Sequence, residues 1–343
     1  MGAVYDELYF QYCQRRAAPA PESLDRLRRF PAAHGIVDRA CTWLASVGEN
    51  PFFLWVHFMD PHSPYYPTQE GLEILGENRL TASRAHYLNA YWNRFDIGRK
   101  RLLRYRDEVI ALYDAGICWV DAQVARLVEI LRRSKLWENC VFALTADHGE
   151  QFLEHDGRFH APSLVEELIH VPLILRAPGV AKAAVSANPF SLLHLAPTLL
   201  AAAGLPIPTE FQGQSHWKHI QEGTPWSEPA ISECIAGCTN PFDLDQRRGA
   251  RLLTVREARY KMLLNFDEGT DFLFDLEADR GERNPLPVAA RKPERRRLLE
   301  TALAHLRRSS TRHSSQAYLR ARLREIGLNT TNAGAIATTR AAS

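Results

Sequence analysis

The chain has 343 residues, of which 45% are hydrophobic and 24% charged, a composition typical of a globular protein. Its 42 basic and 40 acidic side chains give a formal charge of +2, which argues against a nucleic-acid partner. No apolar run approaches the roughly eighteen residues that cross a bilayer, and the first residues lack the basic-then-apolar order of a signal peptide. We expect no membrane span, and a cytoplasmic location is only the default for a compartment that stays unknown.

The first informative segment is residues 51–67, which read PFFLWVHFMDPHSPYYP. The apolar run over residues 52–58 predicts a buried strand, and the prolines after it force an extended loop that carries Asp60 and His62. His57 lies within the apolar run, so we interpret it as a core histidine rather than a site residue.

A long amphipathic helix is predicted over residues 107–134, because apolar residues recur at the three-then-four spacing of one helical face. These residues are Tyr113, Ile117, Val120, Val124, Leu127 and Leu131. A strand, a crossover helix and a further strand favour parallel strands joined in the right-handed sense. The loops after both strands would then lie on the same edge of the sheet.

The further strand is predicted in residues 141–150, VFALTADHGE, an apolar run that ends in Asp147 and His148. Open α/β sheets bind ligands beyond the carboxyl ends of such strands. A carboxylate beside an imidazole can share one divalent cation, and Gly149 allows the backbone a close approach. A strand followed by an ordinary polar turn is the simpler alternative.

Cationic side chains follow in residues 154–176, EHDGRFHAPSLVEELIHVPLILR, whose last apolar run predicts another strand. Arg158 and His160 suit a tetrahedral oxyanion such as sulfate or phosphate, since arginine matches its oxygens in bidentate fashion. A solvated charged loop is the alternative, because mixed-charge loops are common.

The carboxyl-terminal half carries several elements without evident site residues. Residues 191–203 predict an apolar helix stopped by Gly204, and residues 251–274 predict two or three antiparallel strands. Residues 293–327 have helical patterns, and the small polar residues from Thr330 onward predict disorder.

Cysteines and basic clusters offer no site of their own. The six cysteines are dispersed, and a single C-x-x-x-C at Cys234 and Cys238 is weak evidence for a metal or a disulfide, so free thiols are favoured. The basic clusters at residues 99–106 and 291–297 predict solvated helix faces.

Five segments in order resemble the sulfatase family of the alkaline phosphatase superfamily. They are HFMDPHSPY, LTADHGE, HDGRFHAPSLVEELIHVPLILRAPG, SLLHLAPTLLAAAGLPIP followed by FQGQS, and FLFDLEADRGERN. The resemblance implies an α/β fold with a mostly parallel sheet flanked by helices, and a small carboxyl-terminal antiparallel sheet. The implied parts are a linker remnant (1–33), a core lacking its amino-terminal part (34–230), a small subdomain (231–290), and a helical segment with a disordered tail (291–343).

The resemblance also implies roles for individual residues. Asp147 and His148 would be ligands of a catalytic divalent metal. Calcium is the ion that the family implies, with manganese or magnesium as alternatives. The imidazole leaves the metal open, because nitrogen ligands fit manganese or zinc better than calcium, which prefers oxygen. His62 would hydrogen-bond the ester group, His160 would contact the sulfate and help the leaving group depart, and Arg158 would assist. A sulfate-ester small molecule or glycan is the implied substrate.

One departure from the family concerns the nucleophile. Sulfatases carry a Cys-x-Pro-x-Arg or Ser-x-Pro-x-Arg motif whose first residue becomes formylglycine, and an acidic pair of metal ligands before it. Cys13 and Cys41 have other neighbours, and no acidic pair precedes residue 51 in the expected context. We expect an amino-terminally incomplete chain that is inactive alone. The alternatives are a nonenzymatic remnant that binds an anion or partner, and a phosphatase or phosphonate ester hydrolase; the sequence predicts no oligomeric state.

Overall fold

The computed structural model describes residues 23–48, 50–160, 162–180, 186, 188–235, 250–308, 320–321 and 323–324. Two compact units divide the chain. The first consists of Met1–Asn139 with Phe152–Phe159, and the second of Cys140–Gln151 with His160–Ser343. Each unit has its own hydrophobic core.

The first unit is mainly helical. Its helices are α1 (Ala33–Val47), α2 (Gln69–Leu75), α3 (Ala82–Trp92), α4 (Arg99–Leu102) and α5 (Arg106–Arg133), with short 3-10 turns at Asp25–Leu27 and Trp137–Asn139. The 28-residue α5 packs against α1, α2 and α3. Acidic residues in its first turn and arginines in its last complement the helix dipole. The helix predicted over residues 107–134 is therefore confirmed.

The buried face of α5 differs from the predicted one. Leu127 and Leu131 are buried as expected, but Ile117 is exposed and the small residues Ala115 and Gly116 are buried beside it. A Cβ on Gly71 of α2 would meet the Ala115 carbonyl oxygen at 2.5 Å, so the two helices approach through their backbones. Apolar spacing alone missed this face because close helix contacts select small residues as well as large apolar ones.

Residues 51–58 run extended but form no strand, so the strand predicted there is wrong. Alternate side chains from Phe52 to Phe58 pack against the cluster between α1 and α5. On the other face, Phe53 and Trp55 are 79% and 76% exposed. His57 is also exposed, with Nε2 3.1 Å from the Met59 sulfur, so its interpretation as a core histidine is wrong. A continuous apolar run predicts two covered faces, and here only one face is covered.

The second unit contains the longer strands and four helices of the described chain. Its strands are β1 (Phe142–Thr145), β4 (Leu173–Arg176), β5 (Ala230–Ile235), β6 (Ala250–Arg256), β7 (Tyr260–Asn265) and β8 (Thr270–Asp275). Two strands have only two residues each. Of these, β2 (Gln151–Phe152) is divided between the units, and β3 (Arg158–Phe159) belongs to the first unit. The helices are α6 (Glu166–Ile169), α7 (Leu195–Ala202), α8 (Trp217–Glu222) and α9 (Lys292–Arg308), and a 3-10 turn at Leu192–His194 leads into α7.

The first predicted strand pair is antiparallel. β1 and β4 confirm the strands predicted near residues 141 and 171, and their register runs from Phe142 opposite Arg176 to Thr145 opposite Leu173. The order strand, helix, strand predicts parallel pairing, but β1 and β4 pair antiparallel. The reason is that a parallel crossover needs a strand before the helix, and residues 51–58 do not form one.

The small carboxyl-terminal antiparallel sheet is confirmed, with the strand order β5-β6-β7-β8. α9 packs against β6 and β7, and Leu253, Met262 and Leu298 are fully buried in the core between them. Within α9, Arg295 is buried and paired with the buried Asp271, so the solvated face predicted for residues 291–297 is wrong at this position.

The predictions on cysteines, the carboxyl-terminal tail and membrane spans concern the whole chain, of which the structure describes a part. Cys41, Cys118 and Cys140 are free thiols, as expected, while Cys13 and Cys238 lie outside the described residues. The tail from residue 330 lies outside them too. Within the described residues, every helix is too short or too polar to cross a bilayer.

Candidate metal and anion site

The predicted metal ligands lie in a tight loop after β1, which we call the metal loop (residues 147–149). The Gly149 N–H donates to the Leu168 carbonyl oxygen of α6 at 2.8 Å. A Cβ on Gly149 would lie 2.0 Å from the Glu167 carbonyl oxygen, far inside contact distance. Glycine is therefore required for the metal loop to lie directly on the backbone of α6.

Asp147 and His148 present two donor atoms close together. One carboxylate oxygen of Asp147, Oδ1, accepts the His148 backbone N–H at 3.0 Å, and the other, Oδ2, lies 3.8 Å from His148 Nε2. His148 Nδ1 is 2.8 Å from the Gly149 carbonyl oxygen. Because a carbonyl can only accept, Nδ1 carries a ring proton, and in the neutral imidazole Nε2 then holds the lone pair.

This arrangement fits a divalent cation chemically. Histidine ligands usually donate their other ring N–H to a carbonyl or carboxylate, as His148 does with Gly149. A carboxylate oxygen and an imidazole nitrogen 3.8 Å apart can both reach one ion at ordinary ligand distances of about 2.1 Å. The Asp147 side chain is largely exposed, so an ion has access to it.

His160 lies beside this pair. Its ring centroid is 4.4 Å from that of His148, with an angle of 31° between the ring planes. Tertiary structure thus brings together three of the five predicted site residues, all of them in the second unit.

The other two predicted residues, His62 and Arg158, belong to the first unit. His62 Nδ1 lies 2.5 Å from the Ser63 carbonyl oxygen, and its ring meets the edge of Phe30 at 5.7 Å. The Arg158 guanidinium donates to the carbonyl oxygens of Trp92 and Arg94, the latter at 3.1 Å, and burial lowers its pKa. Their roles toward a sulfate ester stay predictions.

Asp60, which the sequence places in the same loop as His62, makes structural contacts. It is buried, pairs with the Arg28 guanidinium, and accepts the Ala33 N–H at 3.2 Å at the start of α1. These contacts cap a helix and neutralise a buried arginine.

Sequence reasoning missed a buried ionic cluster beneath α6, formed by Glu166, Arg256, Lys261 and Glu282. The Lys261 ammonium lies 2.7 Å from Glu282 and 3.1 Å from Glu166, and Arg256 Nε lies 3.0 Å from Glu166. Burial by itself would raise the pKa of Glu166, but Lys261 and Arg256 outweigh it and lower that pKa. Burial raises the pKa of Glu282, with Lys261 opposing it. No local sequence pattern predicts this cluster, because its members come from four separate segments.

Comparison with known proteins identifies the family. The profile described as Sulfatase matches residues 4–205, which is more than half of the chain. The chain belongs to the sulfatase family. A second profile, the C-terminal part of N-sulphoglucosamine sulphohydrolase, matches residues 154–309 of this sulfatase-family chain. Sulfatases generally use a divalent metal.

Curated relatives of this sulfatase-family chain include arylsulfatase K of Canis lupus familiaris, 27% identical over 289 residues, which cover 75% of this chain and 52% of the relative. Choline-sulfatase of Rhizobium meliloti (strain 1021) is 25% identical over 264 residues, which cover 71% and 48%. The chain thus spans about half the length of the curated relatives it matches.

Solved structures agree on the fold. A protein from a glycosaminoglycan-metabolism locus of Bacteroides thetaiotaomicron superposes with a TM-score of 0.68 at 22% identity, over 85% of this chain and 62% of the other. A protein solved with its substrate D-glucosamine-2-N,6-O-disulfate gives 0.63 at 20% identity, over 80% and 69%. The phosphonate monoester hydrolase of Silicibacter pomeroyi gives 0.60 at 19%, over 81% and 59%. The predicted alkaline-phosphatase-like α/β fold is confirmed.

Proposed function

We propose that this sulfatase-family chain binds a divalent metal through Asp147 and His148 and recognises a sulfate ester beside it. The observation that carries this proposal is the position of Asp147 Oδ2 3.8 Å from Nε2 of His148, next to the His160 ring. Calcium is the ion implied by the family resemblance, and manganese is the better experimental probe because it accepts an imidazole nitrogen readily.

Each site residue has a definite task in this proposal. A bound cation supplies positive charge to the sulfate oxygens. His160, when protonated, donates a hydrogen bond to the sulfate and a proton to the departing oxygen. The tasks of His62, a hydrogen bond to the ester group, and of Arg158, assistance to His160, rest on the family resemblance alone. The ligand class is a sulfated small molecule or sugar, in keeping with the disulfated glucosamine bound by the solved relative.

We further propose that the polypeptide of residues 1–343 does not turn over sulfate esters by itself. The family route begins with a formylglycine nucleophile, and no Cys-x-Pro-x-Arg or Ser-x-Pro-x-Arg stands in this sequence. The protein would then bind a metal and an anion without cleaving the ester. The segments HFMDPHSPY and FLFDLEADRGERN favour sulfate over phosphate or phosphonate as the group recognised, since they resemble sulfatases most.

Manganese titration tests the metal site directly. Mn²⁺ should broaden the imidazole proton signals of His148 and His160 in NMR spectra at concentrations that leave the exposed His57 sharp. Asp147→Asn should weaken this selective broadening by about tenfold, because a neutral amide is a poorer ligand than a carboxylate. Equal broadening of all three histidines would contradict the proposed site.

A chromogenic aryl sulfate tests the expected lack of turnover. No hydrolysis above the spontaneous rate is expected. Hydrolysis at ordinary enzyme rates that is lost with a chelator and lost again in His148→Ala would show that the chain is a complete catalyst. Sulfate and phosphate, compared at equal ionic strength as competitors of ester binding, separate the sulfatase assignment from its phosphatase alternative.

A further inference from the structure

The metal loop takes its position from α6. Its Gly149 N–H donates to Leu168, and its backbone is pressed against the Glu167 carbonyl, so any displacement of α6 carries the loop with it. The loop in turn carries Asp147 and His148, whose donor atoms must stay within a few tenths of an ångström of a productive geometry.

α6 cannot hold this position by itself. It has only four residues, too few for a self-supporting helix. Residues of other segments hold the first residue of α6, Glu166. Its N–H donates to Glu282 Oε2 at 2.7 Å. Its side chain contacts Arg256 at 3.0 Å and Lys261 at 3.1 Å.

Lys261 is the centre of these contacts. Its side chain is fully buried, and its ammonium lies between Glu166 and Glu282, 3.1 and 2.7 Å away. Without that ammonium two buried carboxylates would face each other, and they would separate or take up a proton. Either response alters the hydrogen bond that fixes the first residue of α6.

We propose that Lys261 on β7 is a positioning residue for the metal loop, acting through Glu166, Glu282 and α6. The carboxyl-terminal sheet thereby controls the geometry of the metal ligands that it does not itself contain. The functional meaning of this inference rests on the proposed metal site. The effect of Lys261 on the position of the metal loop is measurable without any metal.

Amide hydrogen exchange in the metal-free full chain tests the link. Lys261→Met keeps the length of the side chain and removes the charge. It should speed exchange of the Gly149 amide about tenfold relative to the amides of α7. The double variant Lys261→Met with Glu282→Gln should restore slow exchange. The second substitution removes one negative charge and leaves a side-chain amide oxygen that can still accept the N–H of Glu166.

Asp271→Asn is the matched control. It breaks a second fully buried ion pair, between Asp271 of β8 and Arg295 of α9, and leaves Glu166, Lys261 and Glu282 in place. It should lower the melting temperature comparably and leave Gly149 exchange unchanged relative to the amides of α7. A Gly149 amide that is unaffected by Lys261→Met, or equally affected by Asp271→Asn, would overturn the proposal.

Manganese binding distinguishes this inference from the proposed function. Lys261→Met should weaken the selective broadening of His148 about tenfold, and the double variant should recover it. Wild-type protein that shows no selective broadening contradicts the proposed metal site, whereas the exchange measurement still decides the role of Lys261.

Discussion

At the scale of single residues, the metal loop depends on the missing side chain of Gly149. Asp147 and His148 are polar residues that any exposed turn could carry, but only glycine allows the turn to touch the backbone of α6. The ring proton of His148 is likewise placed by one carbonyl, that of Gly149. The proposed role of Asp147 and His148 as metal ligands therefore depends on Gly149, which has no Cβ.

Gly149→Ala should accordingly destabilise the protein by about 1–3 kcal/mol, since the added methyl group meets backbone atoms that cannot rotate away. Gly35→Ala is the matched substitution. Gly35 lies in α1 with nothing within 4 Å of its added Cβ, so there alanine should stabilise by about 0.5–1 kcal/mol. Urea denaturation of the two variants measures both values, and a harmless Gly149→Ala would contradict the close approach.

At the scale of elements, residues 51–58 behave as a strand with one side uncovered. The inner side chains cover α1 and α5, while Phe53 and Trp55 face away from that cluster and are largely exposed. Extended backbone without a hydrogen-bonded neighbour and with exposed aromatics promotes association with other chains. We therefore expect the chain to have marginal solubility when expressed alone.

Trp55→Lys should raise the concentration at which the protein aggregates and leave its unfolding midpoint nearly unchanged, because a charge is placed on an exposed face. Leu54→Lys is the control on the opposite face, where burying a charge against the α1–α5 cluster should lower stability by several kcal/mol. Light scattering and thermal melts check the pair. A monodisperse wild-type monomer that melts sharply and reversibly would contradict the expected association.

At the scale of the whole molecule, buried titratable groups make global stability depend on pH. Burial lowers the pKa of His194 and of His216 below the ordinary 6.5, and the neighbouring imidazole adds to the effect at His216. His216 is 2% exposed, its Nε2 has no hydrogen-bond partner in the described structure, and its ring is 5.1 Å from that of Trp226. The unfolded chain therefore takes up protons before the folded one as pH falls.

Acidification lowers the folding stability through each of these groups. Stability from neutral His194 and His216 is complete above pH 6.5 and is lost as pH falls from there toward their lowered pKa values. Glu166 has a lowered pKa too, so its contribution is complete above its ordinary 4.5 and is lost as pH falls through the lowered value. Two successive losses of unfolding free energy are expected on acidification.

Two variants separate these losses. His216→Phe preserves the ring packing and should flatten the upper decline, because the buried nitrogen that resists protonation is gone. Glu166→Gln should flatten the lower decline and cost about 3–5 kcal/mol near neutral pH, since it leaves Lys261 and Arg256 short of a partner. Denaturant titrations across the pH range give both profiles, and an unchanged upper limb in His216→Phe would be the contrary result.

The sequence by itself determined the family, the helix over Arg106–Arg133, the carboxyl-terminal sheet and the position of Asp147 and His148 after a strand. These features depend on local periodicity and on segments of fixed order, which are properties of the chain read along its length. The predicted division into four parts and the roles of His62 and Arg158 stay predictions.

Only the tertiary structure decided which surfaces meet. It left residues 51–58 without a paired neighbour among the described residues and paired β1 antiparallel with β4. It also buried Arg295 and brought Lys261 and Glu282 together with Glu166 of α6. Burial and charge pairing depend on residues distant in sequence, so neither can be derived from the local pattern of any one segment.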